Sequence, residues 1–231
     1  MLRRILAPIH PDGWKFIGIA AAAAIALFLL WRPAGWAGLT VTIWMAYFFR
    51  DPWRVTPTRA GLLVSAADGV VVALGPAPPP PELAMGSEPV PRIGIFLSLF
   101  DVHVARTPVS GRVAGRRYTS GRFLNASLDK ASDENERLAV RIAPEEGPEI
   151  AFVLVAGLVA RRIVCPLYEG QRLARGERIG LIRFGSRVDV YVPPPYVPLV
   201  LPGQRMIAGE TVLAADPSAP PPRGTDRGLA H

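Results

Sequence analysis

Gly170-Gln171-Arg172-Leu173-Ala174-Arg175-Gly176-Glu177 recurs later in the chain as Gly203-Gln204-Arg205-Met206-Ile207-Ala208-Gly209-Glu210. Both copies fit G-x-x-φ-x-x-G-E with φ apolar, and a short apolar stretch bracketed by glycines reads as turn-strand-turn. A repeated unit of this kind makes the chain mainly β, and the surrounding texture agrees. After residue 55, short apolar runs alternate with Gly and Pro. Gly61 to Ala73 reads as a strand, the turn Ala67-Asp68-Gly69, and a second strand. Ile93 to Val104 and Val109 to Tyr118 are strand-like, and Ile150 to Val164 is a long apolar stretch broken at Gly157. Gly75 to Pro81, with prolines at 78, 79, 80 and 81, reads as a loop of polyproline character.

Between the two copies lies Leu181-Ile182-Arg183-Phe184-Gly185-Ser186-Arg187-Val188-Asp189-Val190-Tyr191-Val192. Val188, Val190 and Val192 alternate with Arg187, Asp189 and Tyr191, the period of a half-buried strand. Gly185 marks the bend where two strand-like runs meet. A glycine permits backbone angles that would turn its carbonyl toward the Ser186 hydroxyl, a geometry suited to a serine attacking its own preceding peptide bond. A hairpin turn with a solvated serine is the plainer alternative.

Upstream of the β-rich part, Phe16 to Trp31 is apolar without a break and Pro33 to Phe49 forms a second apolar run. Each is slightly shorter than the ~20 residues that span a bilayer comfortably. With Arg32-Pro33 as the turn they read as a membrane helical hairpin, and Trp14, Trp31, Trp36, Trp44 and Tyr47 suit the interfaces. Arg3, Arg4 and Lys15 precede it while Arg50, Arg54 and Arg59 follow. The positive-inside tendency therefore puts both flanks, and the β domain after them, on the cytoplasmic side of the cell (inner) membrane. The alanines at 20–24 lie inside the apolar stretch, which disfavours a cleaved signal peptide.

The formal charge of +7 comes from arginine, since Lys15 and Lys130 are the only lysines. Anionic lipid headgroups fit that charge, and the apolar hairpin favours them over nucleic acid. One cysteine, Cys165, excludes an internal disulfide, and His10, His103 and His231 are too few and scattered for a zinc site, so no metal is expected. Cys165 precedes Pro166 in an apolar run and reads as a buried structural thiol. The organisation expected is a hairpin over 1–55, a β domain over 56–215, and a disordered tail over 216–231.

The repeated unit resembles those of the biotinyl and lipoyl carrier barrels, which implies a barrel-sandwich-like β domain. In those carriers a lysine at a hairpin tip bears the cofactor. Here the corresponding tip carries Phe184-Gly185-Ser186, which disfavours a lysine carrier. Three residues remain for chemistry: Asp68 in its turn, His103 on the polar face of the 93–104 strand, and Ser186. Nucleophile, base and orienter can be made from such a set.

Further pieces complete a resemblance to one enzyme family. They are Phe48-Phe49-Arg50-Asp51-Pro52, Ala67-Asp68-Gly69, Phe96-Leu97-Ser98 through Val102-His103-Val104, and Phe123-Leu124-Asn125-Ala126 with Asp129-Lys130-Ala131-Ser132 and Asn135-Glu136-Arg137. The last is Phe184-Gly185-Ser186-Arg187-Val188-Asp189. In this order the chain resembles the short, archaeal-type branch of the phosphatidylserine decarboxylases, which also occurs in bacteria. The resemblance implies a self-processing precursor. Ser186 attacks the Gly185 carbonyl, the ester eliminates, and a covalent pyruvoyl group replaces Ser186. A β subunit of residues 1–185 and an α subunit of 186–231 result and stay associated. Asp68 and His103 would take the family's assisting roles. Longer bacterial members carry a second histidine three positions after the one matched by His103, where this chain has Arg106. Self-cleavage, proton transfer during decarboxylation, or both are thus open to His103.

The implied substrate is phosphatidylserine in the membrane, bound as a Schiff base to the pyruvoyl group and released as phosphatidylethanolamine and carbon dioxide. Neither lysine is placed to hold pyridoxal phosphate, so none is expected. Arg112, Arg116, Arg117, Arg122 and Arg187 are candidates for the headgroup's phosphate or carboxylate. A homo-oligomer is compatible with this reading and nucleic acid is not a partner. Two other classes use the same residues: a membrane-anchored serine hydrolase built on Ser186, His103 and Asp68, and a non-catalytic membrane-tethered adaptor.

Overall fold

A computed structural model describes residues 7–121, 135–157, 162–183, 186–219 and 228–230. The chain divides into two compact units, Met1–Trp53 with Phe100–Val102, and the remainder.

In the first unit two helices, Trp14–Leu30 and Arg32–Phe48, pair through small residues. A Cβ on Gly38 would sit 2.9 Å from the Ala24 backbone, so glycine lets the helices approach closely. Their outer faces are apolar, with Ile19, Leu29, Leu30 and Trp36 exposed. Pro11–Leu30, taken with its leading turn, is 20 residues long with a mean hydropathy of 2.0, enough to cross a membrane. An N-terminal apolar helix of that length suits membrane association. The unit is closed by the Asp51 N–H donating to the Pro8 carbonyl at 2.7 Å, and by Arg50, which donates to the carbonyls of Tyr47 and Phe100, both at 2.7 Å.

The second unit is mainly β, as the repeat foretells. Its strands are β1 (Val55–Pro57), β2 (Leu62–Val64), β3 (Gly69–Ala77), β4 (Val90–Leu97), β5 (Val104–Arg106), β6 (Gly111–Thr119), β7 (Arg137–Ala143) and β8 (Ile150–Ala156). They continue as β9 (Ile163–Val164), β10 (Arg172–Leu173), β11 (Arg178–Ile182), β12 (Ser186–Tyr191), β13 (Val197–Pro198), β14 (Arg205–Met206), β15 (Val212–Ala215) and β16 (Gly228–Ala230). The large sheet has the order β10-β6-β7-β8-β12-β4-β3-β14, and two small sheets have the orders β5-β11-β9 and β13-β15-β2.

These orders are a palindrome. β2 matches β5, β3 matches β6, β4 matches β7, β12 matches β8, and β13, β14, β15 match β9, β10, β11. The irregularities match as well: β3 and β6 each slip register once, at Val71/Ala73 and Val113/Gly115. So do the hydrogen bonds of the sequence repeat. Gly170 and Gly203 donate to Val113 and Val71, both at 2.8 Å, while Gly176 and Gly209 donate to Thr107 and Ser65 at 2.9 and 2.8 Å. One half, β5 to β11, is contiguous and is nested inside the other, which is β2–β4 completed by β12–β15.

Three expectations change. The strand expected over 93–104 breaks after Leu97 and restarts at Val104 as a member of a different sheet. Gly75-Pro76-Ala77, expected in a loop, continues β3 with Pro76 opposite Pro91. β14 pairs only the first two residues of β3, so the rest of that strand is an edge, where proline's missing N–H is harmless. The tail, expected to be disordered, is held in part: the Asp216 N–H donates to the Gly61 carbonyl at 2.8 Å, and β16 pairs with the open edge of β1.

One face of the large sheet buries the main core, including Ile95, Leu97, Phe152, Ala156, Val188 and Val190. Its reverse face carries a smaller cluster of Leu83, Ala139, Ala151, Val153, Val155 and Tyr191.

Candidate functional site

Ser186 is the first residue of β12, which lies between β4 and β8 at the centre of the sheet. It stands opposite Leu97 on one side and Ala156 on the other, both core residues, so its side chain faces the core. It is fully buried, and its Oγ has no hydrogen-bond partner among the described residues. Leaving a buried hydroxyl unbonded costs about 1–3 kcal/mol, and such groups in native folds call for a reason. Phe184 and Gly185 lie outside the described residues, so only the serine side of the Gly185-Ser186 step is described here. β11 and β12 do not pair with each other, so they do not form the hairpin expected here. β11 belongs to the β5-β11-β9 sheet and β12 to the large one, so the chain crosses between sheets there.

Asp68 occupies the turn between β2 and β3, as expected. Its Oδ1 accepts from the Ala208 N–H at 2.8 Å, and its Oδ2 accepts from Arg54 at 2.7 Å, with both side chains only 13% exposed. Arg54, expected only as a flanking charge of the hairpin, is instead the partner of Asp68. Nothing in the local pattern signals it, because the partners meet only when β1 and the β2–β3 turn are folded. Gly69 follows at φ 143°, pressed against the Phe96 carbonyl where a Cβ would not fit.

His103 is not on the polar face of a strand, the position expected of it. It immediately precedes β5, it is fully buried, and its carbonyl accepts from the Ile182 N–H at 3.2 Å. The nesting of the halves explains its neighbourhood. The nested half begins just after His103 and ends just before Arg183, and its first and last strands pair, Val104 opposite Leu181. Residues far apart in sequence, His103 and the segment leading to Ser186, thereby start from adjacent backbone.

Backbone register gathers the three residues at one end of the large sheet. β4 ends at Leu97 opposite Ser186, while its Phe96 stands opposite Val70, two residues after Asp68. The Arg106 N–H of β5 donates to the Ala66 carbonyl at 2.9 Å, tying the His103 strand to the Asp68 turn. Arg106, three positions after His103, is buried and donates to the Gly176 carbonyl at 2.8 Å, so it holds the repeat.

The other candidates separate. Arg187 is buried and paired with Asp189, which removes it from the surface set. Arg116 donates to the Leu167 carbonyl at 2.6 Å and Arg117 pairs with Glu169 at 3.1 Å. Arg112 lines a cavity, and Arg122 lies outside the described residues. Cys165 is a buried thiol, and burial pushes its pKa up, away from nucleophilic thiolate chemistry.

Fold and site together define a class: a carrier-like, mainly β domain that follows apolar N-terminal helices in the chain, with a buried serine at the head of a central strand. Comparison narrows the class. The profile of the phosphatidylserine decarboxylase family matches residues 41–214. The chain is 58% identical over 207 residues to the phosphatidylserine decarboxylase proenzyme of Paramagnetospirillum magneticum, covering 90% of this chain and 86% of that protein. It is 56% identical over 214 residues to the proenzyme of the same name from Cereibacter sphaeroides, covering 93% of this chain and 92% of that one. For the Ruegeria pomeroyi proenzyme the identity is 55% over 209 residues, with 90% and 95% covered. The chain belongs to the phosphatidylserine decarboxylase family. These relatives are bacterial, so the archaeal-type label attached to the resemblance is not borne out.

Proposed function

We propose that the chain is a membrane-associated precursor that splits itself between Gly185 and Ser186, leaving a pyruvoyl group at residue 186. The product is a phosphatidylserine decarboxylase, releasing phosphatidylethanolamine and carbon dioxide. Besides family membership, the observation that carries this reading is the buried, unbonded Oγ of Ser186. A hydroxyl with no competing partner keeps its lone pairs for the carbonyl of the preceding residue.

The steps on the chain balance. Ser186 Oγ bonds to the Gly185 carbonyl carbon as that carbon's bond to the Ser186 nitrogen breaks, and the nitrogen takes up the hydroxyl proton, giving an ester. Loss of the Cα proton expels the Gly185 carboxylate and leaves a dehydroalanine, which takes up water and releases ammonia to become the pyruvoyl group. The residues present fit that group: position 186 is buried, stands between Leu97 and Ala156, and needs no lysine. When present, the pyruvoyl carbonyl supplies the electron sink that decarboxylation requires.

The chain's own groups do the rest. His103, a buried imidazole, is the residue proposed to move protons, in self-cleavage, in decarboxylation, or in both. Asp68, held by Arg54 and the Ala208 N–H, keeps a fixed carboxylate at the same sheet end as an assisting group. After scission β12 is still hydrogen-bonded to β4 on one side and β8 on the other, which keeps fragments 1–185 and 186–231 together. The apolar N-terminal helices would hold the enzyme at the inner membrane with the β domain in the cytoplasm, following the Arg3, Arg4, Lys15 and Arg50 flanks.

Intact-mass analysis of purified protein tests the reading. Two fragments split before residue 186 are expected, the C-terminal one blocked to Edman sequencing, together with carbon dioxide release from phosphatidylserine in mixed micelles. A protein active in that assay while keeping serine joined to Gly185 overturns it, and an inactive single chain that hydrolyses ester substrates points to the serine hydrolase instead.

A further inference from the structure

Immediately after Ser186, on the reverse face of β12, a guanidinium and a carboxylate are sealed inside the protein. Arg187 Nε donates to Asp189 Oδ1 at 2.6 Å, and the two side chains are 1% and 0% exposed. Gly94 makes the space. It stands opposite Asp189 on β4, and a Cβ there would collide with the Arg187 guanidinium. From the other direction Pro78–Pro81, Val153, Tyr191 and the Glu82-paired Arg137 wall a small cavity of about 90 Å³ that reaches Asp189.

Stability does not account for the pair. Removing two charges from water is expensive, and replacing such a pair with apolar side chains is often neutral or stabilising. The nested half supplies an internal control. Registers place Arg141 and Glu149 where the outer half has Gly94 and Arg187. Those two also form an ion pair, at 3.3 Å, but across strands and in contact with water, with side chains 26% and 42% exposed. The same place in the duplicated architecture thus tolerates a wet pair, and only the half that bears Ser186 has drawn its pair within one strand and buried it.

We propose that Arg187 and Asp189 are positioning residues for position 186, a proposal that rests on the self-cleavage reading above. Strand ends fray, and a fraying β12 would lose the approach between Oγ and the preceding carbonyl. Fixing the side chain of residue 187 to residue 189, in a slot left by Gly94, fixes the backbone from 187 to 189. The Cα–Cβ bond of Ser186 then points into the core between Leu97 and Ala156. The same clamp holds residue 186 in place once scission has made it a chain terminus.

The double variant Arg187→Met/Asp189→Leu tests this, because it removes both charges together and is expected to fold with an unchanged or higher Tm. Its precursor, purified and followed by intact mass, is expected to convert at least ~10-fold more slowly than wild type, since small misplacements of reacting groups carry losses of that order or larger. Gly94→Ala, which keeps both charges and blocks the slot, should slow conversion in the same way. Val190→Ala, a truncation on the core face of the same strand, should lower Tm and leave the conversion rate within about twofold. In the converted fraction of the double variant, kcat should fall while KM for phosphatidylserine holds. A double variant that folds and converts at the wild-type rate overturns the proposal, and so does a Val190→Ala precursor slowed as much as the double variant. A wild-type control that never splits would instead defeat the self-cleavage reading on which the clamp rests.

Discussion

The nested and outer halves of the β domain agree down to single hydrogen bonds and differ in what they place at one end of the sheet. In both, the turn before the long strand caps the repeat: Asp68 Oδ1 accepts from the Ala208 N–H at 2.8 Å, and Ser110 Oγ accepts from the Arg175 N–H at 2.9 Å. The cap needs only an oxygen. The outer half uses a carboxylate for it and adds Arg54, while the nested half leaves the equivalent place open as a cavity of about 580 Å³ beside Ser110, Gly111, Arg112 and Pro144. The connections differ too. β7 runs to β8 through residues 144–149, whereas the equivalent step from β4 to β12 is opened to admit the whole nested half, with His103 at its entry and Ser186 at its exit. The difference shows which residues the architecture requires and which are additional, and the additional ones are the proposed chemistry.

The largest break in the comparison is Ser186→Ala, which should abolish splitting and decarboxylation together. Intact mass should show one chain of full length, and a variant that still divided before residue 186 would falsify the mechanism. Next is Asp68→Ser, which gives the outer half the cap of the nested one. The Ala208 bond is kept and the Arg54 partner lost, so the fold should persist while conversion or turnover falls about 100-fold or more, the scale of general acid–base catalysis that the carboxylate is proposed to assist. The reciprocal Ser110→Asp should leave both rates within about twofold, measured in the same assays; a large loss there would mean that the halves are not chemically distinct.

Glycine substitutions sharpen the shared part. Gly176 and Gly209 hold φ of 77° and 76°, and alanine at either should cost about 1–2 kcal/mol from the left-handed backbone alone. Gly176→Ala should cost more, because its Cβ would meet the Thr56 side chain, whereas the nearest atom to a Cβ on Gly209 is Arg106 Cδ at 3.1 Å. Thermal melts should show both, at roughly 2–4 °C per kcal/mol.

The smallest effect concerns the strap from β3 to β4. Burial raises the Glu82 carboxyl, but its hydrogen bond and charge contact with Arg137 outweigh that and hold the pKa below the ordinary 4.5. A depressed folded-state pKa gives stability that is full above the unfolded value and lost as pH falls through the folded one. The Tm gap between wild type and Glu82→Gln should therefore be constant from neutral pH down to about 5 and close on further acidification. A gap that widens in acid would reverse the sign.

Much of this was legible in the residues. The eight-residue repeat announced turn-strand-turn units because glycines at fixed spacing record backbone angles that only glycine adopts easily. The unbroken apolar runs gave the helical pair, since periodicity is irrelevant where every face is apolar. Ser186 stood out because a Gly-Ser step heads an alternating strand within a set of family-like pieces. The misreadings share one cause. His103 was placed on a continuous strand because Phe96 to Val104 alternates well enough, and alternation cannot show that a chain leaves one sheet and joins another. Pro76 reads as a loop residue in sequence because edge and interior strands look the same there, yet it lies in the edge part of β3. Arg54 was counted as a topology signal because its partner lies across a turn.

Element types, the duplicated unit, the apolar N-terminal helices and Ser186 as the proposed nucleophile were all readable from the residues, because these depend on local backbone preference and side-chain polarity. Tertiary structure alone decided that one half is nested in the other, that His103 and Ser186 border its two ends, and that Arg187 is sealed against Asp189. Those are matters of strand pairing and burial between residues far apart in the chain, and no local pattern encodes which distant backbone a strand will meet.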